Sequence, residues 1–349
     1  MKQKQITIRD IARLSGCSVS TVSRAMNNSH DISDETKERI QRIMDERGYV
    51  PNNSARNLKR KDSNTIAIIV KGISNPFFTN MYTMFEHHPA LAPYTLTLQQ
   101  VDQNEDEDEA LVALRAEKEK KVCGTIFFGG YFDDSKQANL KKLTVPYVMC
   151  TARVADDVPA TDYSAIGIDD ELESYKVVKY LLSLGHKKIA IIAGRQDDQN
   201  IGLHRLKGYR RALEESGIAY DEKLVYYMED DIPAYTPENG YVVANKLLDS
   251  GADFTALYVI SDNTCYGACK AILSRGKKIP DDIAVASFDG LDLSKYYYPS
   301  LTTMKQPCRE MVDAVVNQLI GLMNGTVDHV QKNYPALLIE GQSTKALKK

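Results

Sequence analysis

An all-α head followed by an α/β body of two doubly wound parallel-sheet lobes is the fold class this sequence predicts. Three observations predict it. Over the first fifty residues, apolar side chains recur at helical spacing and are punctuated by cap residues and glycines. From Thr65 onward, short runs that are apolar on both faces alternate with helical stretches, the pattern of buried parallel strands and crossover helices. Charge divides at the same place: residues 1–61 carry 13 Lys/Arg against 7 Asp/Glu, a balance of +6, which leaves −9 on the rest of a chain with net charge −3. At 349 residues the chain also exceeds one typical core and calls for two or three domains.

In the head, Thr7 is an N-cap before a helix carrying Ile8, Ile11, Ala12 and Leu14. Gly16 ends that helix, because glycine tolerates the left-handed backbone of a sharp corner. Ser18 caps a second helix with Val22, Ala25 and Met26 inward and Ser20, Thr21, Ser23 and Arg24 outward. A second helix of small residues with one Arg and several hydroxyls suits insertion into a DNA major groove. An ordinary helical hairpin with a solvated Ser/Thr face would look the same in isolation. Ser33 caps a third helix with Glu35 and Glu38 in its first turn, a stripe of Ile40, Ile43 and Met44, and Gly48 as its stop. The segment YVPNNSARNLKRK follows. Its helical pattern, Asn53 to Lys59, is too short to hold alone in water.

The body is expected to begin with strands at 65–70, 94–100, 124–130 and 146–150, then a second set at 165–169, 188–194, 256–261 and 283–289. Helices at 172–184, 203–216, 238–250 and 264–275 lie between them. Pro89 and Pro93 remove backbone donors, so the helix that follows Asn75-Pro76-Phe77-Phe78 is expected to end near His88. The acidic run Asp102 to Glu109 reads as the solvated start of the next helix.

The stretches TIRDIARLSGCSVSTVSRAMNN and SDETKERIQRIMDERGYVPN, with the hinge-like NNSARNLKR, resemble the lactose-repressor/galactose-repressor (LacI/GalR) family of bacterial transcription regulators. The resemblance implies a helix-turn-helix DNA-binding domain at 1–50, a hinge helix or linker at 51–63, and a sensor built like the periplasmic sugar-binding proteins. Its first lobe is expected at 64–164 plus 296–325 and its second at 165–295 plus 326–344. LTTMKQP (301–307) matches a family segment that re-enters the first lobe, and 334–344 closes the second. Three crossings between lobes permit their relative rotation when a ligand binds.

The same resemblance places the functional residues. Val19, Ser20 and Arg24 are expected to read bases, while Thr7, Ser18, Thr21 and Asn27 position phosphates. The hinge residues Asn53, Ser54, Ala55 and Leu58 are expected over the minor groove, with Leu58 wedging between base pairs. On the sensor side, Phe77, Phe78, Gly130, Thr151, Arg205, Tyr235, Asp262, Asp289 and Gln306 are expected to line an effector site. Thr151 stands where members with sugar effectors often carry Asp, which weakens the case for a standard hexose. The expected partners are a palindromic double-stranded operator, a small effector of carbohydrate type and a second copy of the chain. A co-repressor scheme with a purine or nucleoside would use the same parts with opposite sign.

Other classes fit less well. The N-terminus lacks the apolar segment of an export signal, and no run reaches the ~18 apolar residues of a membrane span. This and the basic head argue against a solute-binding protein of a transporter and for a cytoplasmic one. The six cysteines show no CxxC spacing and the six histidines no metal pattern, so no cofactor or metal is expected. No nucleophile elbow or phosphate-cradling glycine loop appears, and an enzyme is not expected.

Overall fold

Caps and glycines set the first three helices where the residue pattern requires them. The computed structural model describes residues 6–26, 31–47, 49, 64–101, 107–155, 159 and 161–347. Backbone contacts divide the chain into Met1–Ser63 and Asn64–Lys349. In the first unit, α1 (Ile8–Ser15) opens on a reciprocal capping box: the Thr7 hydroxyl accepts from the Asp10 amide and the Asp10 carboxylate accepts from the Thr7 amide. Gly16 closes it at φ +67°, where any Cβ would be strained. α2 (Val19–Met26) and α3 (Asp34–Glu46) complete the unit. Ile11, Ala12, Val22, Ile40 and Met44 form its core, with Ala25, Met26, Ile43 and Tyr49 packed against it. Ser33 occupies the N-cap of α3 but does not cap with its side chain; its hydroxyl bonds the Thr36 hydroxyl instead. Gly48 lies outside the described residues.

The second unit holds two six-stranded sheets. The first has the order β13-β7-β5-β3-β1-β2, from β1 (Thr65–Lys71), β2 (Thr95–Val101), β3 (Gly124–Phe128), β5 (Tyr147–Cys150), β7 (Ser164–Gly167) and β13 (Gln331–Asn333). All its pairings are parallel. The second has the order β14-β12-β11-β10-β8-β9, from β8 (Ile189–Ala193), β9 (Val225–Tyr227), β10 (Ala256–Val259), β11 (Ala284–Asp289), β12 (Thr302–Lys305) and β14 (Leu337–Ile339). Only its β12–β14 pairing is antiparallel. A small pair, β4 (Tyr131–Phe132) and β6 (Arg153–Val154), sits beside the first sheet's strand ends. β1, β3, β8, β10 and β11 are buried along almost their whole length, as strands covered by helices on both faces must be.

Three segments differ from expectation. The strand at 164–167, expected to open the second set, pairs with β5 in the first sheet. Residues 302–305, expected to re-enter the first lobe, pair with β11 in the second sheet, and the return comes only with the helix Cys308–Met323, which packs on β3, β5 and β7. Residues 331–333, expected in the second lobe, join the first sheet beside β7. The crossings therefore fall just after β7, β12 and β13.

The helix Pro76–Glu86 ends at a His87 cap, and Pro89–Leu91 forms a single 3-10 turn capped by His88. The next helix, Glu109–Lys120, is capped by Asp108, but its first residue is not solvated: Glu109 is 1% exposed and pairs with Lys71 and Lys136 at 3.4 and 3.0 Å. A buried carboxylate with two cations is the satisfied alternative to a solvated one. Residues 102–106 lie outside the described residues. Among the described residues no helix is long and apolar enough to cross a membrane.

Candidate functional site

On α2 the Ser18 hydroxyl caps the helix, accepting from the Thr21 amide at 3.0 Å and bonding the hydroxyls of Ser20 and Thr21 at 2.7 and 2.8 Å. Ser18, Val19, Ser20 and Arg24 are exposed, and Thr21 is half-buried. This places an apolar methyl pair, a hydroxyl and a guanidinium along one helix, the donor, acceptor and apolar set that base edges require. The Thr7 hydroxyl is taken up by Asp10, at 2.7 Å. Asn27, Asn53, Ser54, Ala55 and Leu58 lie outside the described residues.

In the second unit, the strands' carboxyl ends face a cavity of about 550 Å³. The two strands that follow β1, β2 and β3, lie on opposite sides of it, and β9 and β10 lie on opposite sides of β8, the switch-point geometry at which doubly wound sheets leave a crevice. Phe77, Phe78, Gly130, Thr151, Arg205, Tyr235, Asp289 and Gln306 all line it. Of the four described non-glycine residues at positive φ, Thr151, Tyr235 and Asp289 (+51°, +58° and +110°) belong to this wall. Such backbone is held only where surroundings over-determine it, and it concentrates at binding sites. Gly130 has a second constraint: a Cβ there would lie 2.7 Å from Glu109 Oε1.

Arg205 organises one end. Its Nε donates to Asp170 at 2.9 Å, and its Nη1 donates to Asp289 at 3.2 Å and to the Ile260 carbonyl. The guanidinium lies 3.7 Å from the Phe288 ring centroid, a cation–π contact in a dry setting. Burial pulls this guanidinium's pKa down, but Asp170 and Asp289 outweigh it and hold it above its ordinary value. Gln306 donates to the same Asp289 oxygen at 2.9 Å. Burial pushes Asp289 up to about 7, against the pull of Arg205 and Gln306.

A second group joins the loop after β8 to Tyr235, which follows β9. Tyr235 donates to Asp198 Oδ2 at 2.8 Å, and Asp198 also accepts from the amides of Asn200 and Gly202 at 2.7 and 3.2 Å. Burial, then the neighbouring Asp198, raises the Tyr235 phenol well above its usual range, so it stays a donor. Phe77 and Phe78 stack edge to face at 5.4 Å, and Phe78 in turn packs on Phe128 at 4.7 Å. Both are mostly buried yet reach the cavity wall. Asp170, Asp198 and Asn200 line the cavity and were not singled out from sequence. The available signal was position: each sits in a polar segment directly after a strand of the doubly wound pattern.

Asp262 is a correction. It does not line the cavity. Its carboxylate is fully buried and accepts from the Ser287, Ser294 and Thr303 hydroxyls and, at 2.7 Å, from the Leu291 amide. It ties the start of the helix Asp262–Ser274 to β11, β12 and the loop between them. Burial raises its pKa and the four donors oppose that rise. Among the described residues no group of three or more His, Cys, Asp or Glu is placed to hold a metal ion.

Residues 7–52 match the family model described as bacterial regulatory proteins, lacI family, and residues 178–344 match the periplasmic binding protein-like domain. The chain is 38% identical over 328 residues to the HTH-type transcriptional regulator MalR of Clostridium butyricum, covering 93% of this chain and 96% of that protein. Its fold is similar to the crystal structure of the Lac repressor dimer bound to operator and the anti-inducer ONPF. That match has a TM-score of 0.78 at 26% identity and covers 98% of this chain and 100% of the other. It is also similar to a complex of the transcriptional regulator CelR with cellobiose, with a TM-score of 0.70 at 27% identity over 97% and 100% of the two chains.

Proposed function

This chain belongs to the lacI family of bacterial regulatory proteins, and we propose that it is a homodimeric repressor whose hold on a palindromic operator is set by a carbohydrate bound between its lobes. The observation that carries the reading is the convergence of Arg205, Asp170, Asp289 and Gln306 at one cavity end, with Tyr235 and Asp198 nearby. A guanidinium donates to neighbouring oxygens and a carboxylate accepts from hydroxyls, which suits a vicinal diol. Phe77 and Phe78 supply an aromatic wall for the C–H face of a sugar ring. The volume, about 550 Å³, falls in the range of roughly 300–1,000 Å³ typical of small-ligand pockets. The CelR neighbour was solved with cellobiose. A hydroxyl at Thr151, rather than a carboxylate, favours a glycoside over a simple hexose.

The dimer is supported by the Lac repressor neighbour and by one surface segment. Leu293, Tyr296 and Tyr298 are 56, 76 and 84% exposed within six residues, a run with the aromatic character that interfaces favour. Ligand acts by binding one arrangement of the lobes better than another, and that difference in affinity limits how far it can shift operator binding.

A thermal-shift screen of the full chain against disaccharides, glycosides, nucleobases and nucleosides tests the effector class. A ligand at about 100 times its Kd adds roughly 2.7 kcal/mol of stability by mass action. Stabilisation by a sugar is expected; stabilisation by a nucleobase alone contradicts the reading. On the DNA side, Arg24→Ala is expected to cost about 1–3 kcal/mol of specific operator affinity in an anisotropy titration and much less on random DNA. Equal losses would reassign Arg24 to phosphate contact.

A further inference from the structure

Asn200 does not behave as a residue of its type at its position should. It is the N-cap of the helix Ile201–Glu214, where asparagine normally caps with its side chain, yet it makes no such bond. Asp198 performs that task through the amides of Asn200 and Gly202. The Asn200 carboxamide instead crosses the cleft, its Nδ2 donating to the carbonyl of Gly130 at 2.9 Å. Gly130 follows β3 of the first sheet, and Asn200 follows β8 of the second. A backbone carbonyl only accepts, so the amide orientation is fixed by this partner. Among the described residues Asn200 Oδ1 is then left buried and without a partner, on a residue of the cavity wall. The opposite wall repeats the situation at Thr151, whose Oγ1 is also buried and unpartnered among the described residues. Closing the lobes in this way makes one bond and strands an acceptor, a combination that a ligand hydroxyl would resolve.

We propose that Asn200 is a specificity residue and cleft latch: its Nδ2 holds the Gly130 carbonyl while its Oδ1 accepts a hydroxyl of the bound ligand. The ligand clause rests on the carbohydrate reading above; the latch does not. Because Oδ1 is enclosed in the arrangement seen here, ligand enters as the lobes part and is gripped as they close again. A ligand without a donor at that place leaves the acceptor stranded and is discriminated against.

The test compares full-length wild type, Asn200→Ala and Asn200→Asp. Without ligand, amide exchange is measured in peptides covering residues 129–132 and 151–155, since the Arg153 amide shares the Gly130 carbonyl at 3.1 Å. Both variants are expected to exchange about three- to tenfold faster there, the scale of one lost hydrogen bond. Asp fails as well because it sets a carboxylate against the carbonyl. Cellobiose and maltose are then titrated calorimetrically. For a sugar that binds wild type, Asn200→Ala is expected to lose about 10- to 100-fold in affinity, and Asn200→Asp less, because it retains an acceptor. Exchange unchanged in both variants overturns the proposal, as does sugar affinity within twofold of wild type in Asn200→Ala. If neither sugar binds wild type, the carbohydrate reading fails on its own, and the ligand-free exchange still decides the latch. Melting temperatures close to wild type identify folded variants, and Asn200→Asp, the nearest in shape, serves if Asn200→Ala does not fold.

Discussion

Asp289→Asn is expected to abolish the effector response while leaving operator binding in place. The substitution keeps the shape and an acceptor for Gln306, but removes the charge that pairs with Arg205 and that the proposed site offers to ligand hydroxyls. Hydrogen bonds to charged groups contribute about 1.5–3 kcal/mol, so sugar affinity should fall roughly 10- to 150-fold. A pH dependence accompanies it. Asp289 is raised from 3.8 to about 7 in the folded protein, so the native state holds this proton more tightly than the unfolded chain. Its contribution to stability is therefore fully present below pH ~3.8 and is lost as pH rises through about 7. Ligand binding runs the other way: hydroxyl donors favour the ionised carboxylate, so wild-type affinity should rise between pH 6 and 8. Calorimetric titrations across that range should show the rise in wild type and not in Asp289→Asn. A variant that still responds normally removes Asp289 from the effector contacts.

Asp262→Ala is expected to loosen the junction between the helix Asp262–Ser274 and the second sheet severely. Three hydroxyls and one amide, from Ser287, Ser294, Thr303 and Leu291, lose their shared acceptor in a fully buried place. Breaking such a network costs about 3 kcal/mol or more, because each donor's desolvation is left uncompensated. Denaturant unfolding should show a loss of that size, while sugar affinity of the folded fraction, measured at low temperature, stays near wild type. A loss below about 1 kcal/mol would mean the donors find new partners. Selective loss of sugar binding would return Asp262 to the cavity.

These two aspartates mark what was legible in the sequence. Each stands at the carboxyl end of an apolar run, and a carboxylate at such a junction reads alike whether it opens on the cleft or on a buried knot of hydroxyls. Only packing separates them. The strands themselves were legible because burial on both faces leaves continuous apolar runs such as those of β1, β8 and β11. Sheet membership was legible too for β1, β2, β3 and β5 and for β8, β10 and β11, but not for the strands beside the crossings. β7 and β12 sit beside the crossings, and four-residue strands of mixed polarity carry no mark of which sheet they join. The cavity residues Arg205, Tyr235, Asp289, Gln306, Phe77, Phe78, Gly130 and Thr151 were located through motif resemblance, and the structure brings all of them to one cavity. Asp170 and Asn200 escaped notice because acids and amides at helix starts are explained well enough by caps and dipoles. Glu109 was misread for the same reason: an acidic run before a helix looks solvated until its last residue meets Lys71 and Lys136.

The central claim is that a sugar in the cleft controls the hold on DNA. It is tested most directly by an anisotropy titration of the full chain against a palindromic fragment selected from genomic DNA. The titration is made with and without the sugar that gives the largest thermal stabilisation, at fixed salt. The account predicts that the sugar weakens binding to the palindrome at least about tenfold, a coupling of roughly 1.4 kcal/mol, and leaves random DNA unaffected. Binding that the sugar strengthens, or leaves unchanged at saturation, would contradict it.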